Sequence, residues 1–201
     1  MRLILLVLIF SLSLTASAQE KTLMVLGDSI SAGYGIGLQQ GWVYLLEERL
    51  REQGYRYHVK NASISGDTTR GARARLGKLL EELDPDISIV ELGGNDGLRG
   101  LSLEELRVNL STLIHRLLES GSQVLLVPMR LPPNYGPAYN ERFESIYRDM
   151  KSEHDISPSR FILEGIAEDP EQMQADGIHP KAGAQARMME IVWQALQPLL
   201  K

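Results

Sequence analysis

Short apolar runs alternate with longer amphipathic segments along most of the chain. The apolar runs predict β-strands at Thr22–Leu26, Tyr55–Asn61, Ile87–Leu92, Gln123–Val127 and Arg160–Leu163. The amphipathic segments predict helices at Trp42–Gln53, Thr68–Leu83, Leu103–Glu119, Pro137–Lys151 and Pro180–Leu199. Regular alternation of strands and helices is typical of a parallel sheet that is covered by helices on both faces. The sequence therefore predicts a single α/β domain of three layers, α/β/α, with a five-stranded parallel sheet.

Residues that could contribute to a catalytic or binding site follow the first three predicted strands. Ser29 comes directly after the first strand, Gly66 after the second and Asn95 after the third. Right-handed crossovers place the carboxyl ends of parallel strands at one edge of the sheet, and ligands bind at that edge. Asp176 and His179 precede the last predicted helix, in a loop that can fold over the same edge. We therefore expect these five residues to lie close together.

Residues 1–18 have the pattern of a secretory signal peptide. A positive start at Arg2 and the apolar run Leu3–Phe10 are followed by a small-x-small cleavage pattern that ends at Ala18. The apolar run is shorter than the roughly 20 residues that a membrane-spanning helix needs. We expect cleavage after this pattern, which leaves one domain, residues 19–201, in the periplasm or outside the cell.

Charge and cysteine content exclude several classes of protein. The formal net charge is −5 at pH 7, and loss of Arg2 with the signal makes it one unit more negative. Nucleic acid is therefore not an expected partner, because the electrostatic attraction that dominates such binding has the wrong sign. The sequence contains no cysteine, which excludes disulfides, zinc–thiolate sites and a cysteine nucleophile. No metal ion, cofactor or integral membrane span is expected.

Ser29, Asp176 and His179 supply the three groups of a serine hydrolase. A serine hydroxyl is a weak nucleophile at neutral pH, so a base must take its proton and a third group must orient that base. The carboxylate lies three positions before the imidazole in the turn Asp176–Pro180, a spacing at which it can accept the Nδ1 proton. Each residue alone has an ordinary explanation, Ser29 as a cap and His179 as an exposed turn residue. Together they predict acyl-transfer chemistry.

An acyl-transfer site also needs hydrogen-bond donors for the negative charge that develops on the carbonyl oxygen. Asn95 follows two glycines at the end of the third predicted strand, so its amide can point into the site. Gly66 lacks a side chain and can offer a bare backbone N–H, as can Ser29 itself. Each glycine alone is most simply a turn residue. The three residues are therefore candidate donors.

Four short segments occur in the order found in the SGNH (GDSL) hydrolases. They are Gly27-Asp28-Ser29, Ser65-Gly66-Asp67-Thr68, Gly93-Gly94-Asn95-Asp96 and Asp176-Gly177-Ile178-His179-Pro180. The chain resembles this family over essentially its whole mature length, and it is similar to the bacterial thioesterase, lysophospholipase and arylesterase group. The resemblance implies the flavodoxin-like SGNH fold, with Ser29 as nucleophile, Asp176 as acid and His179 as base. It also implies an oxyanion hole made of the Ser29 and Gly66 N–H groups and the Asn95 amide.

The predicted function is hydrolysis of acyl esters and thioesters through an acyl-enzyme intermediate. Leu98, Leu131, Pro132 and Ile178 are apolar residues near the predicted site, and we expect them to line a groove for the acyl chain. The alternative for these four residues is ordinary loop packing. The expected partners are a small-molecule ester or thioester and, transiently, a lipid surface. The protein is expected to be a monomer.

Two other functions fit parts of the sequence. A carbohydrate O-acetylesterase can use the same four segments, but the apolar loop Arg130–Gly136 and the scarcity of aromatic residues count against it. A periplasmic binding module that kept the fold and lost catalysis would lack one of the polar site residues, and none is missing. The sequence contains no G-x-S-x-G motif, so the nucleophile elbow of the α/β-hydrolases is absent.

Overall fold

The central sheet consists of parallel strands within residues 20–201, the part of the chain that the computed structural model describes. Its strands are β1 Lys21–Gly27, β2 Tyr57–Asn61, β3 Ile87–Glu91, β4 Gln123–Leu126 and β5 Ser157–Pro158. They lie in the order β2-β1-β3-β4-β5, which is the flavodoxin-like order. The two-residue β5 adds little pairing, so the four longer strands form most of the sheet. The predicted fold class is confirmed.

The two central strands are buried on both faces. Leu23–Leu26 of β1 is fully buried, and Ile87–Glu91 of β3 is buried throughout. Continuous apolar runs are typical of central parallel strands, because helices cover both faces of such a sheet. At the edge, β2 alternates instead, with Tyr57 and Val59 buried and His58 exposed. The burial pattern along each strand therefore reflects its place in the sheet.

Helices cover both faces of the sheet. Over the same residues the α-helices are α1 Ser29–Ala32, α2 Trp42–Glu52, α3 Thr69–Leu83, α4 Gly94–Leu98, α5 Leu103–Glu119, α6 Pro137–His154 and α7 Gln185–Leu196. The chain crosses the sheet in one direction from β1 to β2 and in the opposite direction from β2 through β5. Right-handed crossovers therefore place α2 on one face and α3, α5 and α6 on the other. The contacts agree, because α2 packs against α7, and α5 packs against both α3 and α6.

Two predicted elements differ from the structure near the carboxyl terminus. The predicted strand Arg160–Leu163 is wrong, because β5 lies earlier and these residues form irregular loop and turn structure. Phe161–Leu163 is buried without pairing in the sheet, which explains why its apolar pattern resembled a strand. The last helix also begins later than the predicted Pro180. A 3-10 turn, Ala182–Ala184, precedes α7, which starts at Gln185.

Two one-turn helices were not predicted. α1 follows β1 and α4 follows β3, each after a short connection at the carboxyl edge of the sheet. Helices this short show no helical periodicity in the sequence, because one turn contains too few positions. α1 begins at Ser29 and α4 contains Asn95. Short helices therefore position two residues of the predicted site.

The buried apolar residues of the described chain form a contiguous core that surrounds the sheet. Trp42 and Phe143 are among its largest fully buried side chains. None of the helices within residues 20–201 combines the length and the apolar character needed to cross a bilayer. The predicted signal peptide, residues 1–18, lies outside the described residues, so its cleavage stays a prediction.

Leu46→Ala is expected to lower the free energy of unfolding by about 2 to 5 kcal/mol, because it leaves a cavity in the core. Leu46 is fully buried in α2. Leu38→Ala is the matched control: Leu38 is 86% exposed, and its loss is expected to change stability by less than about 0.5 kcal/mol. Urea unfolding of the three proteins measures both effects. Equal losses in the two variants would contradict the described packing.

Candidate active site

The site begins where β1 ends, at Gly27. A Cβ atom on Gly27 would lie 2.7 Å from the Ser31 Cβ and 2.8 Å from the Glu91 side-chain oxygen, so a larger residue does not fit here. Asp28 then caps α1, since its Oδ1 accepts the backbone N–H two residues further on at 3.0 Å. This capping role agrees with the turn position of Asp28 in the sequence. The close approach and the cap together place Ser29 at the first position of α1, at the carboxyl edge of the sheet.

The loop before α7 places His179 next to Ser29. His179 Nε2 lies 2.8 Å from Ser29 Oγ, and His179 Nδ1 lies 2.7 Å from Asp176 Oδ2. Asp176 Oδ1 also accepts the backbone N–H of His179 at 3.0 Å, so one carboxylate holds both the ring and the main chain. An antiparallel bridge between Met173 and Pro180 closes the loop. The structure thus brings these three predicted residues into one line of hydrogen bonds.

The Asp176 carboxyl is ionised at neutral pH. Desolvation raises its pKa, but the hydrogen bonds from the His179 N–H and imidazole outweigh desolvation and lower the pKa to about 2. An ionised carboxylate can only accept hydrogen bonds, so it holds a proton on His179 Nδ1 and leaves Nε2 as an acceptor. The Ser29 hydroxyl can therefore donate to Nε2. This arrangement can transfer the serine proton to the imidazole.

Two residues that were not predicted for the site hold the imidazole in place. The Tyr34 ring lies against His179, with the ring centroids 4.5 Å apart. Gln174 links the segment that carries Tyr34 to the loop that carries His179. Its Nε2 donates to the Tyr34 carbonyl at 2.8 Å and to the Pro180 carbonyl at 3.1 Å. An aromatic residue between two glycines, shortly after Ser29, is the one feature of the sequence that pointed to Tyr34. Nothing in the sequence distinguishes Gln174 from an exposed turn residue.

Asn95 and Gly66 lie beyond the ends of the strands that flank β1. Asn95 Nδ2 donates to Asp28 Oδ2 at 3.0 Å, which leaves its second amide hydrogen without a partner in the described chain. Gly66 lies in the turn between β2 and α3 with a φ of +78°, and within residues 20–201 its N–H has no hydrogen-bond partner. Both groups can therefore donate to a ligand. Ser29 and Asn95 line the same cavity, whereas Gly66 is not among its lining residues.

Two buried carboxyl groups, Asp28 and Glu91, lie beneath the loop that carries the serine. Burial raises the pKa of Asp28 to about 6, although the hydrogen bond from Asn95 opposes this rise. Burial and the neighbouring Asp28 raise the pKa of Glu91 well above its ordinary value, and Glu91 accepts the Ser31 hydroxyl at 2.6 Å. Two neighbouring carboxylates repel each other when both are ionised, so this pair of carboxyl groups tends to retain one proton. Within residues 20–201, no group of three or more carboxylates and imidazoles is arranged to bind a metal ion.

An apolar cavity of about 730 Å³ adjoins Ser29, Asn95 and His179, which lie in its wall. All the residues predicted for the acyl groove line this cavity, namely Leu98, Leu131, Pro132 and Ile178. Further apolar lining residues, which were not predicted, are Ile30, Met129, Phe161, Leu163 and Met173. Phe161 and Leu163 belong to the segment that the sequence assigned to a strand. Their apolar character was visible in the sequence, but its reason was cavity lining rather than sheet pairing.

Known proteins resemble this chain in both sequence and fold. A family model for GDSL-like lipase/acylhydrolases matches residues 25–187. The chain is 49% identical to Esterase TesA of Pseudomonas aeruginosa over 93% of both chains, and 44% identical to an arylesterase of Vibrio mimicus over 97% of both. It is 40% identical to thioesterase 1/protease 1/lysophospholipase L1 of Escherichia coli over 92% of this chain and 87% of the relative. A crystal structure of TesA matches 90% of this chain and all of its own with a TM-score of 0.88 and 49% identity.

The chain therefore belongs to the GDSL-like lipase/acylhydrolase family, as the four sequence segments indicated. The matched region contains Ser29, Gly66, Asn95 and the Asp176–Pro180 turn. The predicted family and enzyme class are confirmed. The chain is a serine hydrolase that acts on ester bonds.

Asp28→Asn is expected to remove a pH dependence from the stability of the fold. The pKa of Asp28 rises from an ordinary 3.8 to about 6, so between these values the folded state binds the proton more tightly than the unfolded state does. The free energy of unfolding should therefore fall as the pH rises from about 4 to about 6, by up to about 3 kcal/mol relative to Asp28→Asn. Urea unfolding of both proteins across this range measures the difference. Parallel stability curves would contradict the raised pKa.

Proposed function

We propose that Ser29, His179 and Asp176 form a catalytic triad that hydrolyses acyl esters and thioesters. The proposal rests on the line of hydrogen bonds from Ser29 Oγ through the imidazole to the carboxylate, at 2.8 and 2.7 Å, in the wall of an apolar cavity. Nε2 takes the serine proton as Oγ attacks the carbonyl carbon, and the bond to the leaving group then breaks. The imidazolium returns the proton to an alcohol leaving group. The imidazole then takes a proton from water as the water oxygen attacks the acyl carbonyl carbon, the bond to Ser29 Oγ breaks, and the imidazolium returns the proton to Oγ.

We assign the oxyanion hole to the N–H groups of Ser29 and Gly66 and to the Asn95 amide. Three observations support this assignment. Asn95 has an amide hydrogen to spare, and the Gly66 N–H makes no hydrogen bond within residues 20–201. Ser29 is the first residue of α1, where the backbone N–H has no partner inside the helix. A single donor of this kind contributes about 10² to 10³ to the rate.

The cavity favours substrates with an apolar acyl chain. Its lining by Leu98, Leu131, Pro132 and Ile178 suits a hydrocarbon chain, and its volume far exceeds that of an acetyl group. A carbohydrate O-acetylesterase is therefore the less favoured function. The relatives are named for aryl ester, thioester and lysophospholipid chemistry, and we propose this range for the present chain. Thioesters suit the site because a thiolate leaves with little help from the imidazolium.

We propose that the protein is exported and works as a monomer that meets lipid only transiently. The signal-like segment at residues 1–18 supports export to the periplasm or beyond. Ile178 supports the lipid contact, because it lines the cavity and is nevertheless 38% exposed. An apolar residue at the mouth of the cavity can touch an amphiphile as its chain enters. The negative net charge makes nucleic acid an unsuitable partner.

Ser29→Ala is expected to lower kcat for p-nitrophenyl acyl esters by about 10⁴-fold or more, because it removes the nucleophile. An organophosphonate is expected to label the unmodified protein at Ser29, and mass spectrometry of the tryptic peptides locates the adduct. Thermal unfolding should be almost unchanged in the variant. Retained turnover, or an adduct on another residue, would rule out the proposed nucleophile.

The chain offers a matched control for this test. Ser111 Oγ lies 2.9 Å from the Nε2 of His154, so this serine also faces an imidazole. The pair lies on α5 and α6, and neither residue lines the cavity. Ser111→Ala is therefore expected to keep full activity and to be labelled at Ser29 as before. Loss of activity in this control would show that the effect of Ser29→Ala is not specific to the proposed nucleophile.

Leu131→Ala is expected to shift the preferred substrate toward longer acyl chains. Leu131 lines the cavity and packs tightly, since a Cβ on Gly97 would lie 2.7 Å from its side chain. Removing the isobutyl group makes room for more methylenes, so the ratio of kcat/KM for long and short chains should rise about 10-fold. A p-nitrophenyl ester series measures the profile, with Leu118→Ala on α5 as the control outside the cavity. An unchanged profile would place the acyl chain elsewhere.

A further inference from the structure

Arg99, directly after α4, contacts two of the proposed oxyanion donors. Its Nη2 donates to the Gly66 carbonyl oxygen at 2.9 Å and to Asn95 Oδ1 at 3.4 Å. Gly66 lies in the turn after β2 and Asn95 lies in α4 after β3, so the guanidinium links two separate segments. Both hydrogen bonds come from one guanidinium nitrogen. A single group therefore contacts Gly66 and Asn95 at the same time.

The Asn95 amide needs a definite orientation, because only its NH₂ end can donate to an oxyanion. The Asp28 carboxylate accepts from Nδ2, whereas Arg99 has only donors and so requires Oδ1. Rotating the amide by half a turn would set its oxygen against the carboxylate and its NH₂ group against the guanidinium. Arg99 and Asp28 therefore act from opposite ends of the amide to keep Nδ2 facing the site.

The Gly66 N–H also needs an external restraint. Its φ of +78° lies in a region that glycine enters freely, so no Cβ limits rotation of the neighbouring peptide groups. The turn is closed on one side by the Asp67 N–H, which donates to the Ile64 carbonyl at 3.0 Å. On the other side, a Cβ on Gly66 would lie only 3.3 Å from Arg99 Nη2, so the guanidinium rests against this residue. Arg99 therefore restrains the carbonyl of the residue whose N–H is the proposed donor.

A buried pair of residues, at the start of α3 and within α4, joins the same two segments at a second point. The backbone N–H and the hydroxyl of Thr69 donate to the two Asp96 oxygens at 3.0 and 2.6 Å. Both residues are buried, so these bonds are shielded from water. They hold the start of α3 against α4 and keep the segments together. Arg99 is then free to set the finer orientation of the donors between them.

We propose that Arg99 is a positioning residue of the oxyanion hole, whose guanidinium holds the Asn95 amide and the Gly66 N–H in the orientation that receives the negative charge. This inference rests on the proposed function, because it requires that Gly66 and Asn95 are oxyanion donors. Orientation of these donors matters when charge develops on the carbonyl oxygen and matters little when the uncharged substrate binds. Loss of Arg99 should therefore lower kcat and leave KM nearly unchanged.

Kinetics of two Arg99 variants test the proposal. Arg99→Ala removes the side chain, and Arg99→Met keeps an unbranched stem without hydrogen-bond donors. Both are expected to lower kcat for a p-nitrophenyl ester about 10-fold, with KM changed by less than about twofold. Arg70→Ala is the matched control, because it removes the same charge from neighbouring α3 at a residue that lines a different cleft. The control should keep full activity, and thermal unfolding should show that all variants fold.

A double-mutant cycle separates positioning from a general structural role. In an Asn95→Ala background one of the two groups that Arg99 orients is already gone, so Arg99→Ala should cost only about threefold in kcat. Equal fold losses in the two backgrounds would overturn the inference. So would an effect on KM alone, full activity of Arg99→Met, or the same loss in Arg70→Ala. Such results leave the triad untouched, whereas an active Ser29→Ala would overturn the proposed function itself.

Discussion

The parallel pairing of β1 with β2 and β3 is the constraint on which the rest of the site depends. Val25 of β1 lies opposite Asn61 of β2 and Ile89 of β3, so the three strands leave the sheet at nearly the same level. The chain then needs only short turns to bring Asp28 and Asn95 within hydrogen-bond distance. With strands in opposite directions, the same residues would lie at opposite edges of the sheet. The proposed chemistry therefore depends first on the direction of the strands, because that direction brings the reacting side chains together.

Two buried carboxyl groups beside the site lower the stability of the folded protein. Asp28 and Glu91 are both buried next to the close contact at Gly27, where burial raises both pKa values. Buried carboxyl groups destabilise a folded protein unless hydrogen bonds compensate them. Here Asp28 receives such bonds from the start of α1 and from Asn95, which are the segments that must be held rigidly. The same bonds that compensate the buried charge therefore also orient the groups of the proposed site.

Much of the architecture could be predicted, because it depends on repeated local patterns. The apolar runs at Thr22–Leu26 and Ile87–Leu92 correspond to the central strands, and the amphipathic segments correspond to the long helices. The predicted strand at Arg160–Leu163 was wrong because an apolar run signals burial, and burial in a cavity wall looks the same as burial in a sheet. The helices α1 and α4 escaped prediction because one turn has no period. Arg99 also went unnoticed, since it resembles any exposed arginine in a loop.

The sequence by itself determined which chemical groups are present, the family and the class of fold, because these follow from motif order and from hydrophobic periodicity. Only the tertiary structure decided which groups touch. Ser29 and His179 are separated by 150 positions in the sequence, yet Ser29 Oγ lies 2.8 Å from His179 Nε2. The contacts of Arg99 and Tyr34 likewise cross between loops that are distant in the sequence. Hydrogen bonds depend on tenths of an ångström between such segments, and no local pattern of residues encodes distances of that kind.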